Sequence, residues 1–84
     1  MDGIDYVSLV KEIVKPLVSH PEDVNVKQIA FEDATAKLEV SVHSDDLGRV
    51  IGKKGRTAGA IRTIAHAAAI RYKQNVEIEF LTNE

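Results

Sequence analysis

The sequence has no cysteine and no tryptophan, and it has only two tyrosines and two phenylalanines among its 84 residues. Without cysteine the chain can form no disulfide, no thiolate nucleophile and no cysteine-ligated zinc site. Its apolar runs are far shorter than the roughly 20 residues that cross a bilayer, so no membrane insertion is expected. The N-terminus shows no basic segment followed by an apolar one, and we therefore expect a cytoplasmic protein.

The length and composition indicate one folded domain over residues 1–84. A chain of this size buries just enough surface to fold alone, and it is too short for two domains. Hydrophobic residues make up 44% and charged residues 29% of the sequence, which is typical of a globular protein and argues against intrinsic disorder.

The charges are unevenly distributed along the sequence. The formal net charge is −2, and by itself this mildly acidic total argues against a nucleic-acid partner. However, residues 47–76 contain seven lysines and arginines and no acid, whereas the remainder contains four lysines and all thirteen acids. So long a segment without a compensating acid favours an anion-binding site over a solvated basic helix face.

Hydrophobic periodicity predicts six elements in the order helix, strand, strand, short helix, longer helix, strand. The first helix covers about residues 6–18 and loosens at Pro16. The strands cover residues 24–32, 37–43 and 75–81. Within the first strand the apolar residues change from even to odd positions, which predicts a β-bulge. A connection of about four residues joins the first two strands in a hairpin. The longer helix, about 57–72, has a predicted buried stripe of Ile61, Ile64, Ala65, Ala68 and Tyr72.

The connections predict how the sheet is arranged. A strand–helix–helix–strand crossover is right-handed and leaves its two strands parallel. We therefore expect an α+β fold with a three-stranded mixed sheet and three helices on one face, in which the strand 37–43 is central, antiparallel to 24–31 and parallel to 76–81. Ser44, Asp45 and Asp46 are predicted to form the N-cap of the short helix.

No residue pattern indicates an enzyme, a metal site or a cofactor. His20, His43 and His66 are predicted to lie in a loop, on the polar face of a strand and on a helix, with nothing in the sequence that places any two at metal-ligand spacing, and each is interpreted as solvated or locally bonded. The segment His43-Ser44-Asp45 contains the residue types of a catalytic triad, but adjacency in sequence is not triad geometry. We therefore predict no catalytic residue, no metal ligand and no cofactor.

Two glycines bracket two lysines in the segment Gly52-Lys53-Lys54-Gly55, between the two predicted helices. Gly52 is suited to end the short helix in a left-handed conformation, and the first turn of the next helix presents unpaired N–H groups to an anion. A phosphate chain can approach the backbone closely where glycines carry no side chain. The spacing excludes a P-loop. The alternative interpretation is a plain helix–turn–helix corner with solvated lysines.

The segment RVIGKKGR, from Arg49 to Arg56, resembles the V-I-G-x-x-G core of the KH domain, which binds single-stranded nucleic acid. The element order resembles the type II form of that fold, in which the extra helix and strand come first, and the resemblance covers about residues 6–81. A free-standing KH domain of this length is similar to the small bacterial RNA-binding proteins of the KhpA type. The scarcity of aromatic residues argues against the stacking platforms of other RNA-binding folds.

The resemblance implies that nine residues bind single-stranded RNA. Gly52 and Gly55 would shape the loop that grips the sugar–phosphate backbone, and Lys53 and Lys54 would contact phosphates. The other five are Val50 and Ile51, as part of an apolar groove floor for about four nucleotides, and Arg49, Arg56 and Arg62, as weaker candidates for backbone contacts.

The resemblance also implies protein partners and a cellular role. The alanine-rich longer helix suits close helix–helix approach, and the resemblance implies homodimers and association with a larger KH-containing protein of the KhpB type. It implies an RNA chaperone or post-transcriptional regulator that serves cell growth and division, including cell shape and cell-wall organisation. One alternative remains open: a protein–protein adaptor on a KH scaffold, in which RNA binding is secondary and the longer helix or the edge strand 24–31 carries the partner contact.

Overall fold

The computed structural model describes residues 4–83, so residues 1–3 and Glu84 of the predicted domain lie outside the described part. The elements follow in the predicted order: α1 Tyr6–Val14, β1 Asn25–Glu32, β2 Thr35–Val42, α2 Leu47–Ile51, α3 Arg56–Ile70 and β3 Asn75–Thr82. A short 3-10 turn that contains Pro16 follows α1, as expected of a proline near a helix end. Within residues 4–83, no helix is long and apolar enough to cross a membrane.

The central strand of the sheet is β2, which is antiparallel to β1 and parallel to β3, as predicted. The predicted bulge in β1 is confirmed, because the pairing register shifts between Gln28 and Ala30. The hairpin is tighter than predicted, since only Asp33 and Ala34 separate the paired ends of β1 and β2. Both turn residues have positive φ, 53° and 58°, which matches the twist of the two strands without a glycine.

The three helices pack on one face of the sheet. The β2 residues on that face are completely or almost completely buried, whereas those on the opposite face are half-buried. The buried set in β2 is Ala36, Leu38, Val40 and Val42. Val10 and Val14 of α1 and Val50 of α2 join the same core, which therefore lies between the sheet and the helices. This arrangement confirms the predicted α+β fold of the type II KH kind.

The buried stripe of α3 differs from the prediction. Ile64 is 50% exposed and Tyr72 is 39% exposed, so their assignment to the core was wrong. Ala68 is half-buried, whereas Ile61 and Ala65 are buried as predicted. Small side chains on the contact side let the helix lie close to the sheet. The observed stripe has the spacing i, i+3, i+7 and i+11 and consists of Ala58, Ile61, Ala65 and Ala69.

Asp46 does not cap α2 as predicted. Its side chain is completely buried and, among residues 4–83, makes no capping hydrogen bond to that helix. Instead it accepts hydrogen bonds from the backbone N–H and hydroxyl of Ser19, at 2.9 and 2.8 Å, and from the backbone N–H of His20, at 2.9 Å. Arg49 Nε lies 3.3 Å from the same carboxylate. The carboxylate therefore ties the segment between α1 and β1 to the start of α2.

Two opposing effects set the pKa of Asp46. Burial raises this pKa, but the hydrogen bonds from Ser19 and His20 together outweigh burial and hold the pKa below its ordinary value. The unfolded chain consequently binds this proton more readily than the folded protein does. The ionised carboxylate stabilises the fold at neutral pH, and this contribution disappears as the pH falls through the folded-state pKa.

We predict that Asp46→Asn lowers stability at pH 7, because the amide places a donor against N–H groups that now bind a carboxylate. The loss should shrink at about pH 3, because this pH lies below the ordinary carboxyl pKa of 3.8 and protonation of the unfolded wild-type chain then reduces the contribution of the folded-state carboxylate. Urea denaturation at both pH values measures the difference. The exposed neighbour provides the control: Asp45→Asn should change the free energy of unfolding by less than about 0.5 kcal/mol. A loss for Asp46→Asn that is equally large at both pH values would contradict the assignment.

Candidate nucleic-acid interface

The turn between α2 and α3 requires glycine at position 52. Gly52 has a φ of +77°, and a Cβ at this position would lie 2.3 Å from Thr57 Oγ1 and 2.8 Å from the backbone nitrogen of Thr57. The left-handed conformation and the close contact both exclude a side chain. The N–H of Gly52 donates to the carbonyl of Gly48 at 2.8 Å, which ends α2. The start of α3, at Thr57, therefore packs closely against the end of α2 at Gly52.

Lys53 and Lys54 are exposed at the tip of this turn. Lys54 has a φ of 58° and Gly55 a φ of 74°, so two successive left-handed residues reverse the chain before α3 begins. Among the described residues, no side chain caps the first turn of α3. The N–H of Arg56 donates to the carbonyl of Lys53, so the N–H groups that follow it in that turn are the ones left for an anion, close in sequence to Lys53 and Lys54.

The positive charges of the acid-free segment fall into two groups. Five of them surround or follow the loop: Arg49, Lys53, Lys54, Arg56 and Arg62. The other two, Arg71 and Lys73, come after the far end of α3, which has 15 residues and is therefore about 22 Å long. The basic surface at the loop consequently carries five charges rather than the seven counted along the sequence.

The first half of β3 is joined to α3 by two side-chain contacts, which we call the α3–β3 seam. His66 Nδ1 lies 3.1 Å from Asn75 Oδ1, and that oxygen also accepts the backbone N–H of Val76 at 2.9 Å. One helical turn earlier, Arg62 Nη2 donates to the carbonyl of Ile78 at 3.0 Å. From the first contact to the second, the helix runs back by four residues, about 6 Å, while the strand advances by three residues, about 10 Å, so the two elements run in opposite directions.

Beyond Arg62, towards the loop, the surface of α3 is bare of side chains. The same side of the helix continues to Gly59 and Gly55, where an added Cβ would meet no described atom within 4 Å. On the strand, Phe80 follows Ile78 on the helix-facing side and is half-buried. The helix α2 packs against both α3 and β3 and borders this region. We call this strip of surface, from Arg62 along Gly59 and Gly55 to the lysine-bearing loop, the α3–β3 groove.

The other residues implicated by the resemblance lie in different environments. Val50 is completely buried and can shape the groove only through its packing, whereas Ile51 is half-buried. Arg56 is exposed at the start of α3. Arg49 is 61% exposed and pairs with the buried carboxylate described above. Arg62 donates to a backbone carbonyl at the strand edge, a contact that residue type alone did not indicate.

The structure brings together His20 and His43, whose rings stack with centroids 4.0 Å apart and planes 20° from parallel, although the sequence assigns them to different elements. Asp45 Oδ2 lies 3.6 Å from His20 Nε2 and from His43 Nδ1. Nearly parallel rings do not aim their lone pairs at one point, and His43 Nδ1 already accepts the backbone N–H of Asp45 at 3.0 Å. Holding a metal ion here would require a ring to rotate out of the stack.

Known protein families provide the first comparison. Residues 7–80 match the family described as KhpA/KhpB, KH domain. The chain belongs to this family. The KhpA/KhpB family is a family of non-enzymatic proteins, and the chain is not an enzyme.

Three curated relatives carry the name RNA-binding protein KhpA. The one from Halalkalibacterium halodurans is 44% identical over 75 residues, which cover 88% of this chain and 96% of the relative. The one from Clostridium perfringens is 47% identical over 73 residues, with 87% and 96% covered. The one from Bacillus subtilis is 46% identical over 71 residues, with 84% and 86% covered. These KhpA/KhpB relatives match this chain over nearly its whole length.

A similar solved structure is that of Era in complex with MgGDPNP and nucleotides 1506–1542 of 16S ribosomal RNA. The TM-score is 0.68 and the sequence identity 23%, and the match covers 92% of this chain but 29% of the Era chain. At this identity the likeness concerns the fold, which this KhpA/KhpB family member shares with part of a larger protein.

We predict that alanine at the three glycines of the loop and α3 has graded effects on stability. Gly52→Ala combines left-handed strain with overlap against Thr57, and should lower the free energy of unfolding by more than about 2 kcal/mol. Gly55→Ala carries the strain alone and should cost about 1–2 kcal/mol. Gly59→Ala, the control inside the helix, should raise stability by up to about 1 kcal/mol. Urea denaturation tests the order, and a tolerated Gly52→Ala would contradict the described turn.

Proposed function

We propose that this protein binds single-stranded RNA through the loop Gly52–Gly55 and the α3–β3 groove. One observation carries the proposal: Lys53 and Lys54 are exposed on a turn that also presents the uncapped first turn of α3. Ammonium groups and backbone N–H groups together suit the phosphates of a nucleic-acid chain. The name of the curated KhpA relatives supports RNA as the nucleic acid.

The form of the groove favours a single strand over a duplex. Beside the loop, Gly55 and Gly59 leave the helix surface bare, and the strand opposite carries Phe80. A few unstacked nucleotides can lie along such a surface with their bases inward, whereas a duplex keeps its bases stacked and paired. Half-buried Ile51 provides apolar contact at the loop end of the groove.

The cellular part of the proposal follows from family membership. We place the protein in the cytoplasm as a single KH domain, residues 1–84, acting as an RNA chaperone or post-transcriptional regulator. Cell growth and division, with cell shape and cell-wall organisation, are the processes that we propose it serves. The membership of residues 7–80 in the KhpA/KhpB family supports this placement.

We predict that the double variant Lys53→Asp/Lys54→Asp loses at least about tenfold in affinity for single-stranded RNA, because two attractive charges become repulsive. Aspartate tolerates the left-handed φ of residue 54, so the fold should persist. The slope of log K against log salt should fall by about 1.4, which corresponds to two phosphate contacts on a single strand. Fluorescence anisotropy at several salt concentrations measures both quantities.

A matched control comes from the other end of α3. Arg71→Asp/Lys73→Asp makes the same change of charge in the same acid-free segment, and Lys73 also has a left-handed φ, 57°. This variant should bind with affinity close to that of the wild type. Equal losses for both double variants would show a diffuse charge effect, and unchanged binding by the loop variant would refute the loop as the site.

We also propose self-association through the outer side of α3, with a larger KH-containing protein of the KhpB type as a second partner of this surface. Ile64 and Ile70 are 50% and 59% exposed, and Tyr72 is 39% exposed. On the same side of α3, Ala60 lies one turn before Ile64 and Ala67 lies almost one turn after it. Both are small and exposed, so another helix can approach closely. The exposed apolar residues favour this contact and keep the adaptor alternative as a second candidate function.

We predict that the protein sediments as a dimer at micromolar concentration and that Ile64→Glu shifts it to the 9.2 kDa monomer. The reason is that a buried unpaired carboxylate opposes association. Leu17→Glu, which changes another exposed apolar residue that lies outside α3, provides the control. Sedimentation of the wild type as a 9.2 kDa species alone would remove the dimer.

A further inference from the structure

Arg62, the charge of the basic surface farthest along α3, is held at the free edge of the sheet by β3. Its Nε and Nη2 atoms donate to the carbonyl of Ile78 at 3.3 and 3.0 Å. Its guanidinium carbon lies 5.2 Å from the centroid of the Phe80 ring, within the range of a cation–π contact. The side chain nevertheless remains exposed. A planar cation is thus fixed at the point where the α3–β3 groove begins.

The pairing of β3 explains why a carbonyl is available there. In a parallel pair, alternate residues direct both backbone groups toward the partner strand, and the residues between them direct theirs away. Asn75 N–H donates to Ala34 O at 2.8 Å, so the odd-numbered residues of β3 face β2. The backbone groups of Ile78 and Phe80 therefore point away from β2, and Arg62 reaches the Ile78 carbonyl from α3.

The hydrogen bonds of Arg62 leave part of its donor set unused. A guanidinium has five N–H donors in one plane, and the Ile78 carbonyl takes one from Nε and one from Nη2. The outward hydrogen of Nη2 and those of Nη1 form a second fork at the end of the side chain. Such a fork matches a partner that presents two adjacent acceptors in one plane.

We propose that Arg62 selects the base that enters the groove beside β3 and favours guanine or cytosine over adenine and uracil. This inference rests on the RNA binding proposed above. Guanine presents O6 and N7 side by side, and cytosine presents O2 and N3, so each offers the fork two acceptors. Adenine has a donor beside each acceptor of its two readable edges, and in uracil an N–H separates the two carbonyls. These two bases therefore leave one donor of the fork unpaired.

The contacts of Arg62 strengthen this selection. Because Ile78 and Phe80 already hold the guanidinium, little further side-chain freedom is lost when a base binds. The guanidinium plane and the Phe80 ring also offer a surface on which a neighbouring base can stack. Arg62 accordingly acts on base identity, whereas Lys53 and Lys54 act on the phosphate chain.

The experiment compares four labelled octamers, one of uridine alone and three in which a single guanosine, cytidine or adenosine replaces a uridine, with anisotropy as the readout. The wild type should bind the guanosine or cytidine octamer with at least about fivefold higher affinity than the adenosine and all-uridine octamers. Fivefold is about the lower limit expected for a bidentate contact. Arg62→Gln should reduce this preference to less than about twofold. Arg62→Lys keeps the charge without the fork, and should lose the preference while keeping the salt dependence.

Arg71→Gln is the matched control, because it removes one charge from the segment after α3 and its guanidinium carbon likewise lies near an aromatic ring, 5.9 Å from that of Tyr72. It should retain the preference. Equal binding of all four octamers by the wild type would overturn the inference and leave the RNA-binding proposal standing. A preference that survives Arg62→Lys, or is also lost in Arg71→Gln, would overturn it too. Failure of every octamer to bind would overturn RNA binding and base selection together.

Discussion

The surface that we assign to RNA depends on one constraint, the tight turn between α2 and α3. At this turn the backbone packs so closely against Thr57 that no Cβ fits. Gly52 meets this constraint at the end of α2, and the buried carboxylate of Asp46 holds the other end to the loop that follows α1. A helix of only five residues has little freedom once both ends are held. The uncapped start of α3 therefore has a defined place relative to the sheet.

The order of the elements could be predicted because it follows from local periodicity. Strict alternation identifies β2, and a parity change identifies the bulge in β1. The buried stripe of α3 could not be predicted this way, because small and large apolar residues lie on several sides of this helix and periodicity alone does not say which side faces the sheet. Close packing on the sheet selects Ala58 and Ala69 there and leaves Ile64 outside. The turn at Ala34 was missed for a related reason, since strand twist imposes a left-handed φ on a residue that does not prefer it.

The candidate site likewise contains residues that the sequence could reveal and residues that it could not. The loop Gly52–Gly55 was recognisable because its requirements, glycine and exposed charge, are written in four consecutive residues. Asp46 and Arg62 take their roles from partners 27 and 16 residues away, and an aspartate before a helix or an arginine on one has no sequence mark of such a partner. The stacking of His20 on His43 is likewise a product of tertiary structure.

The separation of charge determines how RNA and protein first meet. At physiological salt the field of a charge fades within about 8 Å, so a distant strand encounters a particle that is nearly neutral. In the proposed binding mode only the basic corner attracts at short range, while the exposed acids elsewhere on the molecule repel. The association rate is then limited by the orientation of the protein rather than by long-range attraction. On this proposal most first collisions end in separation, and those that succeed begin with the loop facing the strand.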